Sequence, residues 1–286
     1  MHRRWSEEHP LEVYVPNGTI NELLLLSDTE PPEVKSSKFV DVRVSFRNTD
    51  KKYLQKYVLL NDDYLSVFKC FYDDVFEYTK HADPRNGAEV IAERFTAWKN
   101  LFSPLPRGLK ENEIQGLIGE LITLEEMIEK RGEKESVVAW MVAKLGKRDF
   151  VFSEEWMEVK TILSGVPTVK ISSVEQLDTQ YNGILRIITL EKTSVNNEKR
   201  LTLNIMCERI LNSLKHESNR CVFRDIMQDK YKCPGQQYDA YSYVFVKSED
   251  YRVNEKFPRI RRKDLGDAIA GVKYEITINM LPEFRI

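Results

Sequence analysis

The chain is poor in the residues that build metal clusters or cross-links, with four cysteines and four histidines among 286 residues. Cys70, Cys207, Cys221 and Cys233 form no C-x-x-C pair, and with His2, His9, His81 and His216 they show no zinc-finger spacing. Structural zinc is therefore dropped, and reduced thiols are expected. Long apolar runs are missing too. The longest, Leu23 to Leu26, is far below the ~20 residues of a membrane span. The opening MHRRWSEEHP has basic residues with no apolar segment behind them, so no secretory signal is read and a cytoplasmic protein is expected. An excess of one charge is also absent. Lys and Arg number 43 against 45 Asp and Glu, which excludes a chain coated in positive charge but allows a local basic groove. There are no repeats and no low-complexity segments.

What is present is enough apolar material, 42 % of residues, for a substantial core. Two parts are expected: an α+β accessory unit over 1–105 and a larger domain over 106–286, joined through SPLPRG at 103–108. In the first part FVDVRVSF alternates Val40, Val42, Val44 and Phe46 on one face of a half-buried strand. YVLL at 57–60 runs into Asn61, Asp62 and Asp63, good caps for a helix carrying Leu65, Phe68, Tyr72, Val75 and Phe76. DPRNG at 83–87 breaks that helix, and a second one places Ile91, Phe95, Trp98 and Phe102 on a stripe. These aromatic positions are at core spacing. In the second part a helix presents Ile114, Leu117, Leu121, Leu124 and Ile128 inward and ends at Gly132. Strands follow at DFVF, EVKTIL, TVKISS, GILRIITL, YSYVFV and YEITINM, with a short helix from Val174 and helices near 203–215 and 220–229. The pattern is that of a mixed sheet flanked by helices.

One stretch of that sheet asks for an explanation. In SEEWMEVKTIL the strand period puts Glu158 and Lys160 on one face with Trp156, and Met157 and Val159 on the other. Asp149 precedes by nine residues, where a hairpin would bring it to Glu158. Two carboxylates so placed make an oxygen-rich site for Mg²⁺, which is commonly held by one or two carboxylates plus water and phosphate. A lysine beside them suits an attacking water and the charge that grows on phosphorus. The ordinary alternative is a surface ion pair worth a few tenths of a kcal/mol. The chain carries its own control in Glu33-Val34-Lys35, the same tripeptide behind two prolines with no apolar run around it, which reads as a solvated loop. Upstream, Glu120 lies on the flank of the apolar stripe of its helix, where a boundary residue is equally expected. Gly116 and Gly119 cost that helix roughly 1 kcal/mol each and suggest close approach of a strand or a nucleic-acid backbone.

The ordered series GLIGELITLEEMI, RDF, MEVKT and ISSVEQLD resembles the PD-(D/E)XK nuclease superfamily. More narrowly it is similar to a prokaryotic family of PD-(D/E)XK proteins common among phage-defence and restriction genes. RFTAWKNLF and FPRIRRKDLGDAIAGVKYEITINM resemble that family's flanking segments, so the likeness extends over most of the chain. It implies a restriction-endonuclease-like α/β fold, and an Mg²⁺-dependent endonuclease acting on DNA, with Mn²⁺ able to substitute. It implies Asp149 and Glu158 as metal ligands, Lys160 as the catalytic lysine, and Glu120 as the helix acid reaching the metal directly or through water. Gln176 is implied in contact with the water or the nucleic-acid backbone. Further subunits of a defence system, an ATPase or methyltransferase, and a homodimer are compatible partners. The proline that names the motif is replaced by Arg148. A silent relative that binds DNA or protein is the alternative, since folds do not dictate activity. Lys170, between Val169 and Ile171 on what reads as a neighbouring strand, is placed at the same cleft or in solvent. Arg259, Arg261 and Arg262, in the densest basic stretch, suit phosphate contacts or a solvated face.

Overall fold

A computed structural model describes residues 2–6, 8–100, 108–144, 146–178 and 183–286. The chain divides into two compact units, Met1–Ser103 and Pro104–Ile286. The linker expected at 103–108, and Phe102, lie outside the described residues except for Gly108.

In the first unit, alternating apolar residues make an antiparallel sheet. Its strands are β1 (His2–Arg4), β2 (Glu12–Pro16), β3 (Glu22–Ser27), β4 (Val40–Arg47) and β5 (Lys52–Leu59), in the order β1-β2-β3-β5-β4. Helices α1 (Leu65–Thr79) and α2 (Gly87–Asn100) supply the other half of the core, with Phe68, Phe71, Val75, Ile91, Phe95 and Trp98 buried. Tyr57 of β5 meets Phe95 edge-on at 5.0 Å. Two expectations need correction. The apolar face of β4 is buried only at Val40, while Val44 and Phe46 are 45 % and 48 % exposed, because β4 is an edge strand whose far half extends past the core. The start of α1 also differs from the expected one. A 3-10 turn over Asp62–Tyr64 intervenes, and Tyr64 precedes the helix without a side-chain cap. The Glu33-Val34-Lys35 control lies in irregular chain with both charged residues exposed, as expected.

The second unit opens with α3 (Glu111–Arg131), which stops at Gly132, the φ of +88° being a conformation glycine adopts without a Cβ penalty. Helix α4 (Glu133–Ala143) follows at once, and sequence periodicity gave no hint of it because both sides of it are apolar. Then come β6 (Phe150–Val151), β7 (Trp156–Leu163), β8 (Thr168–Ile171), β9 (Gly183–Lys192), α5 (Leu203–Ser213), α6 (Glu217–Asp225) with a π turn over Ile226–Lys230, β10 (Tyr243–Val253) and β11 (Tyr274–Thr277). The central sheet runs β10-β9-β7-β6, with β7 and β9 parallel and both outer strands antiparallel to their neighbours. A parallel inner pair must be covered on both faces. One face meets α3: the Gln115 side-chain amide donates to the Thr161 carbonyl, and a Cβ on Gly119 would lie 1.9 Å from the Thr161 hydroxyl oxygen. Gly119 is thus explained by a strand, whereas Gly116 faces open space. The other face is covered by the separate two-stranded β8–β11 ribbon, whose Val169, Ile171 and Ile276 pack with Trp156, Leu185 and Ile187.

Candidate active site

Strand β7 carries the centre of the site. Period-2 geometry turns Met157, Val159 and Thr161 to α3 and Trp156, Glu158 and Lys160 to the ribbon side. Glu158 is only 1 % exposed and Lys160 15 %. The Lys160 ammonium reaches the Glu158 Oε1 atom at 2.7 Å. Gln176, at the end of the 3-10 turn Val174–Gln176, binds both. Its amide nitrogen donates to Glu158 Oε1 at 2.5 Å, and its Oε1 accepts from Lys160 at 3.1 Å and from the Ser172 N–H at 2.7 Å. One Glu158 oxygen is therefore clamped. The other, Oε2, is buried without a hydrogen-bond partner, an arrangement that costs about 1–3 kcal/mol unless something occupies it.

Asp149 arrives by the hairpin β6–β7, in which Phe150 pairs with Met157. Its Oδ2 accepts the Val159 N–H at 2.8 Å. Burial, then repulsion from Glu120, pushes the Asp149 carboxyl up to about 6, against the pull of Lys144 and Lys160. Burial, then the Asp149 charge, drives Glu158 well above the carboxylate range, with Lys160 opposing. Two acids that destabilise each other's charge at a buried position, one with an orphaned oxygen, are a donor set that fits a hard divalent cation.

Glu120 is committed elsewhere. Its Oε2 accepts from the Trp140 indole N–H at 3.0 Å and from the Lys144 ammonium, both on or just past α4. Burial works against the Lys144 charge, but Glu120, Tyr231 and Asp149 outweigh it and hold this lysine charged. Among the described residues, no three His, Cys, Asp or Glu side chains converge into one metal-holding group. Glu120 also stands near enough for its charge to raise both the Asp149 and the Glu158 carboxyl.

The remaining expected residues separate. Lys170 takes the solvent side of its two expected places: β8 pairs with β11, and Lys170 stands exposed opposite Glu275, on the side of the ribbon away from the core. The basic stretch does reach the site's border. Arg259 donates to the Leu177 carbonyl, and the Arg262 N–H donates to Asp178 at 2.8 Å, one and two residues past Gln176. The Arg262 guanidinium is taken by the Ile269 and Ala270 carbonyls, and Arg261 faces Asp264 at 3.8 Å. Arg148, where the motif has proline, lies over the Trp156 ring at 4.7 Å and donates to the Asp178 carbonyl at 2.9 Å. Burial lowers its pKa while the Glu158 charge supports it. Lys144 and Arg148 are site cations that pattern reading missed. Trp140 and Lys144, four apart on one helix, put two donors on one face, and that spacing was the available signal.

The family comparison now decides the ancestry. A model described as "Putative PD-(D/E)XK family member, (DUF4420)" matches residues 2–279. The chain belongs to this family. Its mixed sheet, with the D…ExK residues on the β6–β7 hairpin, is the restriction-endonuclease-like fold that PD-(D/E)XK membership entails, and membership makes it nuclease-like. No curated protein and no solved structure matches the chain. Within a PD-(D/E)XK framework Asp149, Glu158 and Lys160 stand at the motif positions, and the motif proline is an arginine stacked on tryptophan.

Proposed function

We propose that this protein is a metal-dependent endonuclease that hydrolyses DNA phosphodiester bonds. The observation that carries the reading is the buried Glu158 carboxylate, clamped on one oxygen by Lys160 and Gln176 and unpartnered on the other, beside an Asp149 whose charge it repels. Asp149 and Glu158 would hold Mg²⁺, with Mn²⁺ as a substitute. Bound there, the ion lowers the pKa of a water and polarises the phosphoryl group. Lys160 orients the water and offsets charge developing on phosphorus. Gln176 fixes the Glu158 and Lys160 side chains in one geometry. Arg148 and Arg259, with the exposed Lys147, give the border a positive edge for the phosphate backbone. The first unit serves to select substrate or partner, and the whole acts in the cytoplasm as an effector or restriction subunit of an anti-phage system, alongside an ATPase or methyltransferase.

A second reading, a silent nuclease fold that binds DNA, is favoured by one observation. Lys160 and Lys144 already balance Glu158 and Glu120. The test is purified protein with plasmid, linear and single-stranded DNA and with RNA, each in Mg²⁺, Mn²⁺ or EDTA. Cleavage of DNA that needs the ion supports the nuclease. Cleavage confined to RNA corrects the substrate, and binding without cleavage of anything moves the conclusion to the silent reading.

A further inference from the structure

Sheet edges invite pairing with other chains, and most edges in this molecule are guarded. In the first unit β1 has three residues, and in the second β6 has two, while β10 is interrupted by a bulge between Phe245 and Lys247. The other edge of the first sheet is different. Strand β4 has eight residues, holds an unbroken register against β5, contains no proline, and exposes Val44 and Phe46.

The direction of its backbone groups can be read from two bonds. The Val40 carbonyl accepts from the Ser37 N–H at 2.8 Å, and the Val42 N–H donates to the Ser36 hydroxyl at 2.9 Å. In an antiparallel strand the N–H and C=O of one residue point the same way, and the direction repeats every second residue. Val40 and Val42 therefore point outward from β5, and so do Val44 and Phe46. Ser36 and Ser37 occupy the first part of this edge, which leaves the Val42 carbonyl and both groups of Val44 and Phe46 pointing outward.

We propose that β4 pairs antiparallel with β4 of a second copy of this chain, about a two-fold axis at Val44. The strand is self-complementary in that register. Val44 lies opposite Val44, with reciprocal backbone bonds. The Phe46 N–H meets the Val42 carbonyl of the second copy, and Phe46 packs against that Val42, an aromatic to β-branched cross-strand pair. On the reverse face Asp41 stands opposite Arg47 and Arg43 opposite Ser45. Moving the axis by half a residue, to lie between Val44 and Ser45, would set Asp41 against Asn48 and Val44 against Ser45, placing apolar side chains on the face of polar ones. Asp41 bonds Arg43 at 2.6 Å and accepts from the Ser36 hydroxyl at 2.9 Å, and Arg47 bonds Asp50 at 3.0 Å; the two ion pairs, each with a well-exposed arginine, are of small net value, and pairing exchanges them for Asp41 with Arg47 of the second copy. An isologous contact of this kind closes on itself and makes a dimer without further growth.

The test is the mass of the full-length protein by sedimentation equilibrium over a concentration series. The parent is expected to be a dimer. Val44→Lys puts two ammonium groups together at the axis, and Asp41→Arg or Arg47→Asp each sets like charges opposite. Each is expected to weaken the dimer by at least about tenfold. The doubly reversed chain, D41R with R47D, restores opposite charges in this register alone and is expected to regain the dimer. Circular dichroism controls for folding and is expected to be unchanged, while D41R, which loses the bonds from Ser36 and Arg43, is expected to melt somewhat earlier. A monomeric parent, a dimer that survives Val44→Lys, or a doubly reversed chain that stays weakened would each overturn the proposal.

Discussion

At residue scale the site is a balance of charges in which two of the three acids have a cation beside them. Lys160 serves Glu158 and Lys144 serves Glu120, while Asp149 relies on the Val159 N–H and on both lysines from farther off. A carboxyl pushed up to about 6 is held protonated more readily in the fold than in the unfolded chain. The sign follows: this group costs the metal-free fold stability as pH rises from the ordinary carboxylate range through about 6. Asp149→Asn removes that cost. Its melting temperature in EDTA at pH 8 is expected to exceed the parent's, by on the order of 1 kcal/mol of stability, while cleavage is lost. Calorimetry of both proteins checks this, and an equal or lower transition for the variant contradicts it. The ExK residues were legible because spacing and strand context are local properties, whereas Gln176 came only from the family resemblance. Lys144 and Arg148 were not, since their contacts with Glu120 and with the Asp178 carbonyl join positions 24 and 30 residues apart.

At element scale the decisive contact is between α3 and β7, where the helix backbone at Gly119 lies against the Thr161 side chain. Gly119→Ala would drive its Cβ against the Thr161 side chain and is expected to destabilise by about 1–3 kcal/mol despite alanine's better helix propensity. Thr161→Ala in the same chain removes the nearest atom and should recover part of the loss, measured by urea unfolding. No recovery would mean that the helix rests elsewhere. A second link is Arg186 of β9, 3 % exposed, which bonds Glu126 of α3 and Asp250 of β10, each at 2.6 Å. Arg186→Ala removes a buried guanidinium from two partly exposed carboxylates and is expected to cost about 1–3 kcal/mol. Strands and helices with strong periodicity were readable in advance. Helix α4 was hidden because it is apolar all round, the placing of β8 beside β11 because pairing partners carry no local signal, and the exposure of β4 because edge position is a property of the sheet.

At the scale of the whole molecule, each unit has its own core and its own sensitivity to solution conditions. In the first unit His9 is buried against Trp5 and Phe76, and burial lowers its pKa. A histidine held neutral in the fold contributes stability above its unfolded pKa, near 6.5, that is lost as pH falls below it. His9→Gln is expected to flatten that acid-side loss in a melting series from pH 8 to pH 5, and an unchanged slope contradicts the assignment. In the second unit two destabilised acids lie within and arginines line the border, and the whole chain carries a net charge of −2. The central claim is that this arrangement cuts DNA through Lys160. Under the proposed function, phosphate contacts spread over many basic residues would carry affinity, whereas the lysine would act on the transition state. The most direct measurement compares Lys160→Ala with the parent on labelled duplex, cleavage in Mg²⁺ and affinity in Ca²⁺ at one salt concentration. The expected result is cleavage reduced by at least about a hundredfold with affinity changed by less than about tenfold. A variant that cuts DNA as fast as the parent would contradict the claim.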